Sequence, residues 1–152
     1  MTTAIFCIGI PNSGKSSYGA SHFPDYVRLS TDDYIEWFAS QVNSTYNEVF
    51  ESQIKTAHSV MDLVRLFAIN NNSLIYWDQT NLTVRTRKQK LNSIPSHYRK
   101  IALFFNVPIE VCSERNKQRK GKVIPQRVML QMQESLAPPT LDEGFSEIII
   151  IK

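Results

Sequence analysis

The sequence predicts an α/β fold in which five parallel strands form a sheet that is sandwiched by helices. Five short apolar segments alternate with segments of helical pattern over the 152 residues. A G-x-x-x-x-G-K-[ST] pattern follows the first apolar segment directly, as in strand–loop–helix units that bind phosphate groups. No linker, repeat or low-complexity stretch divides the chain. Since parallel strands need crossover connections, usually helices, we expect one α/β domain over residues 1–152.

Thr3–Ile8 is the expected first strand, because its apolar residues suit a strand buried on both faces. Gly9–Ser16 matches every fixed position of the phosphate-binding pattern. Its glycines let backbone N–H groups wrap a phosphate chain, Lys15 can reach the terminal phosphates, and the Ser16 hydroxyl can bind Mg²⁺. The pattern thus predicts a nucleoside triphosphate site. Its expected contact residues are Gly9, Asn12, Ser13, Gly14, Lys15, Ser16 and Ser17.

Tyr26–Leu29 is the expected second strand, and a helix through Ala39 should follow it. Ligands of such folds lie at the carboxyl ends of the strands, so Asp32 should face the phosphate-binding loop. A transfer of a phosphoryl group needs a group that accepts the proton of the attacking hydroxyl, and a carboxylate can do so. Asp32 is therefore a candidate general base, with a role as helix N-cap as the alternative. Asp33 is expected to be a solvated neighbour.

A long amphipathic helix is predicted over residues 45–70, with one apolar stripe that packs on the sheet. The stripe consists of Phe50, Ile54, Ala57, Met61, Val64 and Ala68. Ser73–Asp78 is the expected third strand, and Asp78 at its end can hold Mg²⁺ directly or through water. The alternative is that Asp78 only forms the turn. A polar turn, Gln79–Leu82, then leads to a basic helix that Thr83 can cap.

Positive charge is concentrated in the second half of the chain. The formal net charge is +3, but the segment from Arg85 to Arg127 has 12 Lys or Arg residues against two Glu residues. Such a segment can neutralise the phosphates of ATP or follow a nucleic-acid backbone, and it can also be no more than a solvated helix face. The charge therefore favours a phosphate-bearing ligand without identifying it.

A basic helical hairpin is predicted within this segment. Tyr98–Phe105 is the expected fourth strand, and the helix after it is predicted over Ile109–Lys120. Arg115 and Arg119 should then share one face of that helix, because they are four residues apart. Glycine and proline interrupt the chain before the next helix. We predict that residues 109–127 form a lid that closes over the nucleotide and supplies an arginine to the transferring phosphoryl group.

The rest of the chain adds two elements and excludes several classes of function. A helix is expected over Pro125–Leu136 and a fifth buried strand over Glu147–Ile151. No segment approaches the roughly 20 apolar residues of a membrane span, and the N-terminus does not have the pattern of a signal peptide. We therefore expect a cytoplasmic protein with no membrane partner. Cys7 and Cys112 have no spacing that would predict a disulfide or a metal site.

Four motifs, taken together and in order, resemble the kinase domain of bacteriophage polynucleotide 5′-hydroxyl kinase. They are Gly9–Ser16, Thr31–Tyr34, Asp78–Leu82 and Arg115–Pro125. The resemblance covers nearly the whole chain. It implies a P-loop kinase fold with a helical lid, and an ATP-dependent phosphotransferase that moves the γ-phosphate to a 5′-hydroxyl end of DNA or RNA in nucleic-acid repair.

The resemblance also implies a role for each matching residue. Lys15 and Ser16 would bind the phosphates of ATP and Mg²⁺. Asp32 would be the general base, and Arg119 would be the lid arginine on the transferring group. The positions that support the site in that family are Asp78 and Arg115.

One departure from that family bears on the acceptor. The family often has an arginine three residues after the base, where this chain has Ile35. Another arginine, Arg28 or one in the segment from Arg85, could take its place. A kinase that acts on a nucleoside, a sugar or a nucleotide sugar, as zeta-toxin-like proteins do, is therefore an alternative, whereas the basic segment favours nucleic acid. A nucleotide-binding module without catalysis is a third reading, against which the combination of Lys15, Asp32 and Arg119 argues.

Overall fold

The computed structural model describes the whole chain, Met1–Lys152. Its strands are β1 (Thr3–Ile8), β2 (Val27–Leu29), β3 (Ile75–Trp77), β4 (Arg99–Phe105) and β5 (Glu147–Ile151). They form one parallel sheet in the order β2-β3-β1-β4-β5, which confirms the predicted architecture. The chain changes from one half of the sheet to the other at β1. Ligands of such sheets bind where the strand order reverses, so the crevice at the carboxyl end of β1 is the expected site.

Six helices connect and cover the strands. They are α1 (Lys15–His22), α2 (Thr31–Gln41), α3 (Tyr46–Asn70), α4 (Val84–Asn92), α5 (Ile109–Lys117) and α6 (Gln126–Ser135), and a short 3-10 helix, Leu141–Glu143, precedes β5. One face of the sheet, with Phe6 and Leu29, packs on α3 and α4. The opposite face, with Ile5 and Tyr76, packs on α1. None of these helices combines the length and the apolar character needed to cross a membrane.

The start of α3 is fixed by a capping box. The Thr45 side chain accepts a hydrogen bond from the Glu48 backbone N–H, and the Glu48 carboxylate accepts one from the Thr45 backbone N–H. Two N–H groups that the helix cannot satisfy internally are thereby paired. These bonds lower the pKa of Glu48. The box places Tyr46 at the first position of α3, which matters for the site.

The helix predicted over Ile109–Lys120 ends earlier, at Lys117. The reason lies in Asn116, whose side-chain amide donates to the Ile124 carbonyl oxygen at 2.7 Å and accepts from the Ile124 N–H at 3.1 Å. The chain is therefore held in a return loop after α5. The prediction that Arg115 and Arg119 share one helical face is wrong, because Arg119 lies in this loop.

Two predictions of burial are also wrong. Phe50, placed in the buried stripe of α3, is 39 % exposed, and Val49 is buried in its place. The first half of α3 packs on α2 rather than on the sheet, so a different face of the helix is covered there. The fifth strand is not fully buried, since β5 is an edge strand and Ile150 is 55 % exposed.

Arg87 in α4 contradicts the reading of the basic segment as a solvated surface. Its side chain is fully buried, and its guanidinium donates to both carboxylate oxygens of Glu143 at 2.7 and 3.0 Å. It also donates to the carbonyl oxygens of Asn81 and Leu82 at 2.9 and 3.0 Å. One side chain thus fixes the loop that follows β3 and joins it to the chain before β5.

We expect Arg87→Met to lower the free energy of unfolding by about 3–5 kcal/mol, because it leaves the Glu143 carboxylate without its partner. Burial alone would raise the pKa of Glu143, but the hydrogen bonds from Arg87 and Thr140 and the charge of Arg87 together outweigh it, so the pKa is lowered. The stabilisation is present above the ordinary carboxyl pKa of 4.5 and is lost as the pH falls below it. Urea unfolding measured at neutral pH and below pH 4.5 tests both statements.

The matched control is Arg85→Met, on the same helix but exposed. We expect its effect to stay within about 0.5 kcal/mol at either pH. Equal unfolding free energies for the two variants would show that the buried pair does not stabilise this fold.

Candidate active site

The loop between β1 and α1 forms a concave surface of backbone N–H groups. Asn12 and Gly14 both have left-handed backbone conformations, with φ of 68° and 98°. Such residues turn successive N–H groups toward one side, where they can bind an anion. Gly9 is required by space, because a Cβ there would lie 2.7 Å from Ser13 Oγ and 3.0 Å from Phe105 Cβ. The loop therefore has the shape of a phosphate cradle at the N-terminus of α1.

Lys15 lies folded across this cradle. Its Nζ donates to the carbonyl oxygens of Gly9 and Ile10 at 3.1 and 2.9 Å, and the side chain is buried. Burial lowers the pKa of Lys15, while the carboxylates of Asp78 and Asp32 act in the opposite direction. A phosphate in the cradle would give the ammonium group the anionic partner that the carbonyl oxygens only partly replace.

Of the other predicted loop residues, some are held by contacts with neighbouring side chains and one is exposed. Arg115 from α5 donates from Nη1 to the Asn12 carbonyl oxygen at 3.0 Å, and the Asn12 amide donates to Asn116 Oδ1 at 3.3 Å. Ser13 is buried, and its hydroxyl lies 3.5 Å from the ammonium of the loop lysine. Ser17 is exposed in the first turn of α1. Thus α5 holds the outer wall of the cradle.

Ser16 and Asp78, the predicted magnesium ligands, are in direct contact. The Ser16 hydroxyl donates to Asp78 Oδ2 at 2.7 Å. Adjacent ligands of octahedral Mg²⁺ are about 2.9 Å apart, so this pair of hard oxygen donors fits the ion. Arg28 Nη2 lies 2.9 Å from the same Asp78 oxygen and 3.2 Å from Ser16 Oγ. The guanidinium of Arg28 therefore supplies a positive charge beside the two oxygens that are the predicted magnesium ligands.

Asp32 lies in the first turn of α2 and is not its cap, since Ser30 occupies the N-cap position. Its Oδ1 accepts a hydrogen bond of 2.6 Å from the Tyr46 hydroxyl. Its Oδ2 lies 3.4 Å from the ammonium nitrogen of Lys122. The alternative role of Asp32 as an N-cap is thereby excluded, and its carboxylate is oriented by two side chains from other elements.

The flap loop, residues 118–125 between α5 and α6, covers the α2–α3 hairpin. The Asn47 N–H donates to the Gly121 carbonyl oxygen at 2.9 Å, and the Asn47 side chain donates to the Val123 carbonyl oxygen at 3.0 Å. Lys122 also donates to Glu36 at 2.7 Å. The flap loop therefore spans from the cradle wall to the hairpin that carries Asp32.

Arg119 is a partly buried residue of the flap loop. Burial and the hydrogen bond with Asp32 raise the pKa of Tyr46, and the positive charge of Arg119 acts against this rise. Arg119 is therefore close enough to Tyr46 for its charge to act on the phenol. The phenol remains protonated, so it stays a hydrogen-bond donor to the carboxylate.

The loop after β3 is attached to the cradle. The Gly9 N–H donates to the Thr80 carbonyl oxygen at 3.0 Å, and the Asn81 amide donates to the Cys7 carbonyl oxygen at 2.7 Å. Lys90 donates to side chains of this loop, and its burial lowers its pKa to about 8. Asp78 is thereby held at a fixed position relative to the phosphate cradle.

Two side chains near Asp32, those of Tyr46 and Lys122, had no role in the sequence analysis, and Arg28 was considered there only as a substitute for the missing family arginine. No sequence signal marks Tyr46, which simply follows an N-cap, whereas Lys122 could have been found because it lies in the Arg115–Pro125 motif. Arg28 stands in a short strand with no pattern of its own. Asp33, expected to be solvated, pairs with Arg28 at 3.2 Å.

A family model described as AAA domain matches residues 5–139. No curated protein matches the sequence. A gluconokinase from Sinorhizobium meliloti 1021 has a similar structure, with 15 % identity and a TM-score of 0.57, over 99 % of this chain and 82 % of that chain. Shikimate kinase from Acinetobacter baumannii is also similar in structure, with 16 % identity and a TM-score of 0.58. The match covers 100 % of this chain and 85 % of the shikimate kinase chain.

The structure of the Pnkp1/Rnl/Hen1 RNA repair complex contains a third similar chain, with 20 % identity and a TM-score of 0.64. The match covers 88 % of this chain but only 43 % of that chain. At such identities the three likenesses are ones of fold. They place the described sheet and its helices in the P-loop kinase fold.

Proposed function

The chain belongs to the AAA domain family, and from the geometry of its site we propose that it is an ATP-dependent kinase that transfers the γ-phosphate to a 5′-hydroxyl end of DNA or RNA. One observation carries the proposal. The Asp32 carboxylate accepts from Tyr46 and lies 3.4 Å from Lys122 of the flap loop, it is near enough to the cradle for its charge to act on Lys15, and it has no capping role. A carboxylate so placed can receive the proton of an attacking hydroxyl.

ATP would bind with its phosphates in the cradle, where Lys15 and the loop N–H groups surround them. Ser16 and Asp78 would hold Mg²⁺, which would neutralise negative charge on the phosphates. Arg115 braces the cradle from α5. Arg119, from the flap loop, would contact the transferring group. A guanidinium suits this task because it can donate two parallel hydrogen bonds to phosphoryl oxygens.

The acceptor hydroxyl would approach Asp32 from the open side of the crevice. Because Oδ1 accepts from Tyr46, Oδ2 is the oxygen left for the acceptor, and Lys122 now lies beside it. Lys122 has a second carboxylate partner in Glu36, so it can shift without losing its ion pair. The proton of the hydroxyl would pass to Asp32 as the new O–P bond forms, while the bond between the γ-phosphorus and the β,γ-bridging oxygen breaks and ADP leaves.

Two observations support nucleic acid as the acceptor. The flap loop carries three cationic side chains within four residues, Arg119, Lys120 and Lys122, and cationic clusters of this kind bind phosphate backbones. The structure of the Pnkp1/Rnl/Hen1 complex, which is an RNA repair complex, contains a chain of similar fold. The charge of the flap loop and the likeness to that chain therefore support a nucleic-acid end as the acceptor.

A small-molecule kinase is the second candidate function. It is favoured by the share of each similar chain that the structural match covers. The gluconokinase and shikimate kinase matches cover 82 % and 85 % of those chains, whereas the RNA repair match covers 43 %. A sugar or sugar-acid acceptor would use the same cradle and the same base. The two candidates thus differ only in what approaches Asp32.

Transfer of label from γ-labelled ATP separates the candidates. The purified protein with Mg²⁺ is incubated with 5′-hydroxyl DNA and RNA oligonucleotides, and in parallel with nucleosides, gluconate and shikimate. We expect label on the oligonucleotides only. Label on small molecules alone would reject the polynucleotide proposal, and no label on any acceptor would reject a kinase.

We expect Tyr46→Phe to lower kcat by about 10-fold to 100-fold, because a hydrogen bond to a charged group is lost while the ring stays in place. The KM for ATP should not change, since Tyr46 does not contact the cradle. Steady-state kinetics of labelled phosphate transfer measure both constants. The control is Tyr26→Phe in the opposite core, which should behave as the wild type. A rise in KM for ATP without loss of kcat would contradict the assigned role.

A further inference from the structure

A cavity of about 250 Å³ lies between α2, α3 and the carboxyl end of β2. Its walls are mostly apolar and include Tyr34, Trp37 and Met61. Its rim is polar and consists of Arg28, Ser30 and Asp33. The cavity therefore combines an apolar interior with hydrogen-bonding groups of both kinds at one edge.

Two aromatic side chains, Tyr34 and Trp37, form part of the cavity wall. The ring centroids of Tyr34 and Trp37 are 5.8 Å apart with an angle of 42° between the rings. Trp37 is 55 % exposed, so an indole face is available to a ligand. A planar ring that stacks on this wall would remove apolar surface from water and gain contact with π-systems.

The rim connects the cavity to the candidate active site through one side chain. Arg28 Nη2 pairs with Asp33 at 3.2 Å on the cavity side and with Asp78 at 2.9 Å on the cradle side. Arg28 Nε is buried and has no hydrogen-bond partner. The Ser30 side chain, at the N-cap of α2, makes no capping hydrogen bond. The Ser30 hydroxyl and the Asp33 carboxylate therefore offer a donor and an acceptor to a ligand, beside the arginine that contacts Asp78.

We propose that this cavity binds the terminal nucleobase of the acceptor, stacked on Trp37 with its polar edge at Ser30 and Asp33. The inference rests on the proposed function, whose acceptor side it defines. A nucleobase has apolar faces, which suit the indole of Trp37 and the aliphatic wall, and a polar edge, which suits Ser30 and Asp33. A sugar acid has no flat apolar face. The cavity thus selects acceptors that carry a base next to the reactive hydroxyl.

The first test compares two acceptors, a short 5′-hydroxyl oligothymidylate and the same oligonucleotide with an abasic terminal residue. For the wild type we expect kcat/KM to be at least about 10-fold lower with the abasic acceptor, mainly through KM, as for the loss of one base stacking contact. In Trp37→Leu, kcat/KM for the intact acceptor should fall by the same factor, so that the two acceptors should have nearly equal kcat/KM values. If Trp37→Leu still prefers the intact acceptor over the abasic one as strongly as the wild type does, the proposal is overturned.

The control variant is Phe67→Leu, an aromatic residue of α3 that is 62 % exposed and lies outside the cavity. It should discriminate between the two acceptors as the wild type does. Loss of discrimination in Phe67→Leu as well would mean that the effect does not come from this cavity, and would overturn the proposal.

A second test needs no turnover. The chain has two tryptophans, and Trp77 is buried, so a bound base should quench mainly Trp37. We expect the oligothymidylate to quench the fluorescence of the wild type, the abasic oligonucleotide to quench it much less, and Trp37→Leu to show no base-dependent change. Base-dependent quenching without transfer to oligonucleotides would support the cavity and reject the polynucleotide kinase. Transfer to oligonucleotides without any dependence on the base would support the polynucleotide kinase and reject the base-binding cavity.

Discussion

Asp32→Asn should abolish phosphoryl transfer while ATP still binds. Asparagine has nearly the same shape as aspartate, and its carbonyl oxygen can still accept the hydrogen bond from Tyr46. It cannot accept the proton of the attacking hydroxyl, so the loss of general base catalysis should reduce kcat by about 100-fold to 10,000-fold. The affinity for ATP should remain, because no cradle residue is changed. Labelled transfer and calorimetric titration with ATP measure the two effects.

Asp25→Asn is the control, since this exposed aspartate lies in the turn before β2. It changes the same charge by the same substitution at a position remote from the crevice, and we expect wild-type kcat. Near-normal turnover of Asp32→Asn would leave Asp32 as a partner of Tyr46 and Lys122 only, and the base would have to be sought elsewhere.

Arg119→Ala should lower kcat by roughly 1,000-fold or more, in the range of other arginines that contact a transferring phosphoryl group. The KM for ATP should change little, because the cradle and Arg115 bind the nucleotide without it. The same kinetic assay with varied ATP separates these constants. An effect on KM with an unchanged kcat would mean that Arg119 binds ATP in the ground state only.

The neighbouring Lys120 provides the matched control for Arg119. It is an exposed cation on the same flap loop, and Lys120→Ala removes the same charge. With a saturating acceptor we expect wild-type kcat from this variant. Equal losses in both variants would assign the effect to the net charge of the flap loop rather than to the position of one guanidinium.

The sheet and the cradle could be predicted because local sequence carries their signals. The strands over Thr3–Ile8 and Glu147–Ile151 have the predicted bounds, since runs of apolar and β-branched residues specify strands. Each of the two glycines of the cradle is required for one physical reason. Gly9 has no space for a Cβ, and Gly14 needs a left-handed φ. Such requirements act on single residues and are readable in the chain.

Errors in the prediction arose where partners distant in sequence decide the outcome. Arg87 belongs to a segment that reads as a solvated basic helix, but Glu143 and two carbonyl oxygens surround it. The end of α5 depends on contacts between Asn116 and Ile124. Periodicity describes a helix face but not what covers it, so these features could not be read from the local pattern.

The sequence by itself determined the sheet, the phosphate cradle and the presence of the polar residues that end β1, β2 and β3, because strand composition and loop chemistry are local properties. Only the tertiary structure decided how those residues meet. It pairs Asp32 with Tyr46 and Lys122, sets Arg28 between Asp33 and Asp78, and opens a cavity beside Trp37. The physical reason is that side chains from separate elements are brought within bonding distance by packing, which depends on the whole chain at once.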